Sequence, residues 1–257
     1  MKRILFAVGL LVLAFLWPVS AWTQVGENYT IELEGRYWRP RLDSTVQVVS
    51  NGIGSEFKLV DDLGFEEKKD FYEGRLQIKF ARKHKFNFEY IPMKWDADKV
   101  VTKTIEFNGQ IYPVGTRVQS SLDLKLFKGG YEYDFVAGQY GFFGGTLDAL
   151  VVSGNIQLKA AELAIDQKED KTFPFPMIGL IGRVYPIQWV NFTARLSGLP
   201  LGSYGYVVDA EGSLTINPIK YLGISGGYRY LEINVKYNDN SLDYRLDGPF
   251  VALDIRF

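Results

Sequence analysis

The alternation of apolar and polar residues is clearest in the last nine residues, 249–257. One face of this stretch carries Val251, Leu253, Ile255 and Phe257, and the other face carries Phe250, Ala252, Asp254 and Arg256. A period of two predicts a β-strand. A strand with one apolar face and one charged face suits a wall between lipid and a polar interior. The alternative is an edge strand of a soluble β-sandwich.

The same alternation recurs along the chain and predicts ten strands. Their ranges are 28–39, 72–82, 84–94, 119–135, 141–155, 175–185, 189–198, 204–217, 222–237 and 242–257. Closed transmembrane barrels of a single bacterial chain have an even number of antiparallel strands. We therefore predict an all-β fold, an antiparallel transmembrane up-and-down β-barrel of ten strands. Eight strands are the second choice, if two of the pairs are hairpins within loops.

The connections between these strands differ in length. Residues 40–71, 95–118 and 156–174 form long connections, and short turns separate them along the first half of the chain. Long loops at one end and short turns at the other are typical of outer-membrane barrels with both termini in the periplasm. Within the loops, Asn108-Gly109 predicts a type I′ hairpin over 105–112, and Ala160–Asp170 is predicted to form a short helix.

Two strands show a break in the phase of their apolar positions. In the fourth strand the apolar set moves from Leu122, Leu124 and Leu126 to Phe127, Tyr131, Tyr133 and Phe135. In the tenth it moves from Leu242, Tyr244 and Leu246 to Val251 and beyond, across Gly248-Pro249. Because a slip of one residue exchanges the two faces of a strand, each break predicts a β-bulge near the membrane boundary. The alternative is that the upper parts stand above the bilayer and pack on loops.

The N-terminus has the pattern of a secretory signal peptide. Lys2 and Arg3 precede the apolar run 4–17, and small residues follow at Ser20-Ala21. We predict cleavage after residue 21, which leaves a barrel domain at 22–257. The alternative is a membrane anchor, although the apolar run is short for a membrane-spanning helix.

The balance of 29 basic and 30 acidic residues argues against a generally basic nucleic-acid binder, and the chain has no cysteine.

Five segments carry a resemblance to a known group of proteins: 38–42, 124–135, 175–186, 221–235 and 246–257. The mature chain resembles the outer-membrane β-barrel domain proteins of the OmpA/OmpW-like superfamily. The resemblance implies a Gram-negative outer-membrane location, contact with lipid and lipopolysaccharide, and insertion by the barrel-assembly machinery, with Phe257 as the insertion signal. It implies little about activity, because this superfamily includes small pores, adhesins and structural anchors.

Catalytic and metal chemistry find little support in the sequence. His84 is the only histidine, and the predicted topology places it in a short periplasmic turn between Lys83 and Lys85, where we expect it to be solvated. A histidine-based triad at the outer surface is therefore not expected, and we predict that the protein is not an enzyme.

The loops carry two oxygen-rich clusters, Asp61, Asp62, Glu66, Glu67 and Asp70 in the first and Asn238, Asp239, Asn240 and Asp243 in the last. Neither has calcium-loop spacing, so we expect no bound metal and no cofactor.

The face opposite the apolar one predicts the residues that line the lumen. These are Glu32, Glu34, Arg36, Arg75, Lys79, Glu89, Glu132, Asp134, Asp148, Arg183, Arg195, Asp209, Glu211, Arg229, Asp254 and Arg256. Nine are acidic and seven are basic. Nearly balanced charges in a narrow barrel indicate ion pairs that cross the lumen, because an unpaired buried charge is costly. The set is a candidate ionic plug or a candidate pathway.

Two functions follow as hypotheses. The first is a porin-like barrel with a narrow, polar lumen, open or plugged, for small solutes. The alternative is a structural or interaction barrel of the cell envelope that acts through its long loops at 40–71 and 95–118, on a partner not identified by the sequence. A membrane-embedded hydrolase ranks last, and no nucleic-acid partner is expected.

Overall fold

The computed structural model describes residues 27–50, 53–237 and 240–257; the predicted signal peptide at 1–21 lies outside them. The strands of the described residues are β1 Ile31–Trp38, β2 Arg41–Ser50, β3 Ile53–Lys58, β4 Phe71–Phe80, β5 His84–Val100, β6 Ile105–Phe107, β7 Gln110–Tyr112, β8 Arg117–Gly138, β9 Gly141–Ala160, β10 Ile165–Ile187, β11 Val190–Pro200, β12 Gly205–Ile219, β13 Leu222–Tyr237 and β14 Asn240–Arg256. Single turns of 3-10 helix lie at Ala161–Leu163 and Gly202–Tyr204. No helix in the described part of the chain is long and apolar enough to cross a membrane.

Ten wall strands close into one antiparallel barrel, which confirms the predicted fold class and the count of ten rather than eight. The order around the wall is β1, β4, β5, β8, β9, β10, β11, β12, β13 and β14, and β14 pairs with β1. The closing register joins Trp38 to Phe250. After Arg39-Pro40, β2 takes over from β1 and pairs with the other half of β14, for example Leu42 with Leu246. The two therefore serve as one long wall strand.

The two ends of the barrel differ as the connection lengths predict. At the short-turn end, turns of two or three residues join β4 to β5, β8 to β9, β10 to β11 and β12 to β13. The first described residues and Phe257 meet there, with Thr30 N 2.7 Å from Phe257 O. The opposite, long-loop end carries the β2–β3 hairpin and the β6–β7 hairpin. The predicted loop 40–71 thus contains two strands of its own.

The predicted hairpin at 105–112 is confirmed, and the predicted helix at Ala160–Asp170 is wrong. Asn108 and Gly109 both have positive φ, 50° and 73°, as a type I′ turn requires. β9 instead runs on to Ala160 and β10 begins at Ile165, so most of the predicted 156–174 loop is a strand ladder. Over residues 166–171, charged and polar side chains lie on both faces of β10. The sequence there shows no alternation of apolar and polar residues that would have indicated a strand.

The phase breaks are not bulges, and that prediction is wrong. The β5–β8 register runs without a shift through the break, with Ile91 opposite Leu126 and Tyr90 opposite Phe127. Leu126 points into the barrel and is 1% exposed, whereas Phe127 points outward and is 46% exposed. The β13–β14 ladder is equally regular across Gly248-Pro249. Each strand keeps its two faces, and what changes along it is which face is apolar.

This change of polarity divides the barrel into two halves. In the half toward the short-turn end, outward side chains such as Leu33, Phe88, Phe127, Leu147 and Leu253 form an exposed apolar band. On β8 this band runs from Phe127 to Phe135, nine residues, which is the length that a tilted transmembrane strand needs. In the other half the outward side chains are polar and the inward ones are apolar, as in a soluble β-protein. This second half also agrees with the alternative reading of the phase breaks, since Leu122 packs in the same core cluster as Ile105 of the β6–β7 hairpin.

Candidate functional site: the lumen and the upper wall

The lumen is filled by two layers of side chains. The apolar layer lies toward the long-loop end and consists of Trp38, Leu42, Ile91, Met93, Trp95, Leu126, Leu150, Leu231, Leu246 and Phe250, all buried. The ionic layer lies at the level of the apolar band and contains the buried charged residues of the same strands. On β14 the order from one layer to the other is Leu246, Phe250, Asp254 and Arg256, all on the inward face.

The centre of the ionic layer is Glu211 on β12. Arg36 of β1 binds it with two hydrogen bonds, Nη1–Oε2 at 2.8 Å and Nη2–Oε1 at 2.9 Å. Arg75 of β4 reaches the same carboxylate, with Nη2 2.7 Å from Oε2. These strands are not neighbours of β12 in the wall, so the contacts cross the lumen. A bidentate arginine–carboxylate pair is among the strongest polar contacts that side chains form.

A second set of contacts continues from Arg229 on β13. Its guanidinium donates to Asp209 from Nε at 3.0 Å and from Nη2 at 2.9 Å, and Nη1 lies 3.1 Å from Glu73 Oε2. Lys128 of β8 also binds Asp209, with 2.8 Å between Nζ and Oδ2. The same ammonium is 3.9 Å from Asp148 Oδ2. Each buried cation in this region therefore touches more than one carboxylate, which offsets the cost of its desolvation.

Two further clusters fill the lumen near the short-turn end. Lys85 is fully buried, and its Nζ lies 2.6 Å from Glu132 Oε1 and 3.0 Å from Asp134 Oδ2. Arg195 approaches Glu132 from β11 at 3.3 Å. In the other cluster, Arg256 pairs with Glu32 and donates to Asn217 Oδ1 at 2.6 Å.

A third group at this end is built around Glu27. Arg183 Nη1 lies 2.7 Å from Glu27 Oε1, and the Tyr185 hydroxyl donates to the same oxygen at 2.8 Å. Lys79 donates to the backbone oxygen of Glu27 at 2.9 Å. Glu27, which precedes β1, thus contributes one of the charges that fill this end of the lumen.

The structure places all sixteen predicted lumen residues on the inward face, and most of them take part in these clusters. Four members were missed by sequence reasoning: Glu27, Glu73, Lys85 and Lys128. For three of them the strand period was a sufficient guide, since Glu73 lies two positions before Arg75, and Lys85 and Lys128 lie four positions before Glu89 and Glu132. Glu27 precedes the first predicted strand, so no period indicates it.

A small cavity remains inside the ionic layer. Its volume is about 70 Å³, room for a few water molecules. Among its lining residues, Asp148 and Asp254 each leave Oδ1 buried without a hydrogen-bond partner. Asp148 accepts instead at Oδ2 from the Thr146 hydroxyl at 2.8 Å, and Asp254 accepts at Oδ2 from Ser225 at 3.0 Å. Bound water is the group that fits beside such orphaned oxygens.

His84 and the acids of the first loop are engaged in local contacts. His84 was expected in a solvated turn, but it is half-buried between aromatic rings: Nδ1 lies 2.6 Å from the Tyr131 hydroxyl, and its ring stacks on Phe80 at 5.4 Å.

The five acids of the first loop each have a basic partner, in the pairs Asp61–Lys58, Asp62–Lys103, Glu66–Lys69, Glu67–Arg41 and Asp70–Arg39. Within the described residues, no group of three or more potential ligands is arranged to hold a metal ion. In the last loop, Asn238 and Asp239 lie outside the described residues.

The wall above the apolar band is the second feature with functional potential. There β5, β8, β9 and β10 form a continuous sheet whose outward face is polar, with cross-strand contacts such as Arg117 Nε to Asp98 Oδ1 at 2.8 Å. Hydrogen bonding to Arg117 lowers the pKa of Asp98 below its usual value. The inward face of this sheet carries the β6–β7 hairpin, whose Tyr112 hydroxyl donates to Leu158 O at 3.1 Å.

No protein-family model matches the chain, and no curated protein matches it. Among solved structures it is similar to the outer membrane protease OmpT from Escherichia coli, with 7% identity, a TM-score of 0.59, and coverage of 88% of this chain and 97% of that one. It is also similar to the translocator domain of the autotransporter NalP from Neisseria meningitidis (10% identity, TM-score 0.49, 89% of each chain) and to Ail of Yersinia pestis (11% identity, TM-score 0.37, 87% and 99%). At such low identity the likeness to OmpT is one of fold alone.

Proposed function

We propose that the protein is an integral outer-membrane barrel with a closed lumen, which acts through the wall and hairpins that stand above the bilayer. The observation that carries this proposal is the filling of the lumen by two successive layers. A polar solute would have to pass the apolar layer, where Trp38, Trp95 and Leu126 are almost fully buried, and then the ion pairs around Glu211. The arrangement therefore favours the structural or interaction barrel over the porin-like one.

The location rests on the outward surface. An apolar band of the height of a bilayer core, bounded on one side by short turns, is the surface that a transmembrane barrel presents. In this proposal residues 1–21 are removed on export, the short-turn end faces the periplasm, the band contacts lipid and lipopolysaccharide, and Phe257 serves as the insertion signal of an OmpA/OmpW-like barrel. Fractionation of the envelope, with sequencing of the mature N-terminus, tests the location; a first residue other than Trp22 would contradict the cleavage site.

The closed lumen is tested by single-channel conductance in planar lipid bilayers. We expect no resolvable openings from the wild-type protein at any ionic strength. A variant with Trp38→Ala, Trp95→Ala and Leu126→Ala removes bulk from the apolar layer and is expected to conduct. The matched control is Phe127→Ala with Leu147→Ala and Leu253→Ala, which removes bulk from the lipid-facing side of the wall and is expected to stay closed. Steady openings of the wild-type protein would refute the closed lumen.

A second candidate is a gated pathway for small solutes, and the observation that favours it is the internal cavity beside Asp148 and Asp254. In that case the apolar layer acts as the gate, and the cavity is a binding site for water or a small solute. Brief, voltage-dependent openings of the wild-type protein in the same bilayers would support this candidate over the first.

The role of the upper wall is tested by deletion. Replacing residues 103–113, which include the β6–β7 hairpin, with a short glycine-serine turn leaves every wall strand intact. We expect normal insertion, measured by heat-modifiable migration on gels, and loss of partner binding or of envelope integrity. An unchanged phenotype in cells that carry the deletion would count against the proposal.

A further inference from the structure

The upper part of β10 has a neighbour on one side only. β9 accompanies it along its whole length, from Ile165 opposite Ala160 to Val184 opposite Gly141. The pairing with β11 begins only at Ile178, opposite Gly198. Within the described residues, the stretch 165–177 therefore presents a free edge above the apolar band. An edge of unpaired N–H and C=O groups is a template for another strand.

Two prolines explain where the β10–β11 ladder stops and which groups the edge exposes. Pro174 and Pro176 lie in the ladder with β9, opposite Val151 and Ala149. A proline is tolerated in a ladder only where its missing N–H would have pointed away from the paired strand. Since the direction of N–H and C=O alternates along an antiparallel strand, the even-numbered residues direct these groups to the free side. Above the prolines these residues are Asp166, Lys168, Asp170 and Thr172.

The side chains of this edge are complementary to themselves in one antiparallel register. With Glu169 at the centre, Lys168 of one copy faces Asp170 of the other, and this pair occurs twice. Ile165 faces Phe173, also twice, and Phe173 is 49% exposed in the single chain. At the centre the two Glu169 side chains meet, and each is accompanied by Lys171, whose Nζ lies 3.2 Å from Glu169 Oε1 in its own chain. Opposite charges and apolar pairs directly across a ladder are stabilising, and like charges are destabilising. The four favourable pairs therefore outnumber the one unfavourable pair at Glu169, whose charge Lys171 offsets in each chain.

We infer that the edge 165–173 of β10 pairs antiparallel with the same edge of a second copy of this chain. The even-numbered residues face one another in this register, so their free N–H and C=O groups meet. An antiparallel pair within one sheet has its twofold axis perpendicular to the sheet, so the second barrel is inverted relative to the first. Two barrels in one membrane have the same orientation, and the pairing therefore joins barrels in two facing membranes.

The pairing fixes the distance between the two membranes. From Pro174 to Glu169 is five residues, so ten residues separate the two membrane surfaces, about 33 Å along the strands at ~3.3 Å per residue. With strands tilted by about 40° the surfaces lie about 25 Å apart. This inference rests on the proposed function, because it needs the upper wall to stand outside the bilayer.

The experiment uses phosphatidylcholine vesicles that hold the full mature chain, in two populations with different dyes, and measures their co-clustering. We expect wild-type vesicles to cluster. Lys168→Glu alone places the new carboxylate against Asp170 of the second copy, and Asp170→Lys alone places the new ammonium against Lys168; neither population is expected to cluster with itself. A mixture of the two variants restores both opposite-charge pairs, so it is expected to cluster to at least half of the wild-type extent.

The control is Lys125→Glu, which makes the same charge change on the outward face of β8, away from the edge, and is expected to cluster as the wild type does. Failure of the wild type to cluster, or of the mixture to recover clustering, overturns the inference. Clustering of each single variant at the wild-type level also overturns it, because another surface would then be responsible. None of these results depends on conductance. The proposal of a closed lumen and the inference of edge pairing can therefore be refuted separately.

Discussion

Arg36 on β1 and Glu211 on β12 form a bidentate ion pair across the lumen, with Nη1–Oε2 at 2.8 Å and Nη2–Oε1 at 2.9 Å. β13 and β14 lie between these strands in the wall, so the pair spans the interior instead of reinforcing one ladder. Arg75 shares the same carboxylate. Glu211 therefore pairs with two buried cations at once, in addition to the contacts of Arg36 with Glu34 and of Arg75 with Glu89.

We predict that Glu211→Gln destabilises the barrel by about 3–5 kcal/mol, because it leaves the charges of Arg36 and Arg75 undercompensated in a buried site. Urea unfolding in detergent micelles, followed by tryptophan fluorescence, measures the change. The matched control is Asp43→Asn, which breaks the exposed pair with Arg245 and is expected to cost less than about 1 kcal/mol. Equal losses for the two variants would show that the lumen pair is as solvated as the surface pair.

The position of the membrane boundary can be tested by labelling, because the natural chain has no cysteine. We predict that a membrane-impermeant maleimide labels Asp123→Cys and Asp170→Cys in intact vesicles but leaves Phe127→Cys and Leu147→Cys unlabelled. The first two positions lie on the polar outward face and the last two in the apolar band. Rapid labelling of Phe127→Cys in the folded protein would move the boundary and contradict the assignment.

The strand period predicted the wall because, in the half toward the short turns, apolar outward side chains alternate with polar inward ones. It located the exchange of apolar faces between Leu126 and Phe127 but did not decide its cause, because a β-bulge and a change of surroundings produce the same pattern in the sequence. Whether a leucine faces lipid or the lumen depends on the height of the strand above the membrane, which a local pattern does not contain. Lys85 was missed for a different reason: it shares the inward parity of Glu89 on β5, but it adjoins His84, which the sequence analysis placed in a turn.

Tyr112 gives a prediction on pH, at a site above the membrane. Burial raises the pKa of Tyr112 to about 12, with a smaller contribution from Asp166, whereas the unfolded value is about 10. The unfolded chain therefore loses this proton first as the pH rises, and the stability that the neutral phenol contributes is present below about pH 10 and is lost between about pH 10 and pH 12.

We expect Tyr112→Phe to lower stability by about 1 kcal/mol at pH 8, through loss of the hydrogen bond to Leu158 O, and to show a smaller further loss at pH 11. Urea unfolding of both proteins at pH 8 and pH 11 measures the difference. The other tyrosines cancel in this comparison. A loss on the alkaline side that is identical in the two proteins would contradict the assignment to Tyr112.

The last prediction separates two lysines that adjoin the same short turn. Lys85 is fully buried, with Glu132 Oε1 at 2.6 Å, Asp134 Oδ2 at 3.0 Å and the Phe142 ring centre at 3.4 Å from its Nζ. Lys83, two positions earlier, is exposed at its ammonium and donates to Phe135 O at 3.2 Å. Because Lys85→Met leaves the buried Asp134 without its cation and Glu132 with Arg195 alone, we expect it to cost about 3–5 kcal/mol or to prevent insertion. Lys83→Met is expected to change stability by less than about 0.5 kcal/mol. Heat-modifiable migration on gels and urea unfolding compare the two variants, and a stable Lys85→Met barrel would mean that this end of the ionic layer is open to water.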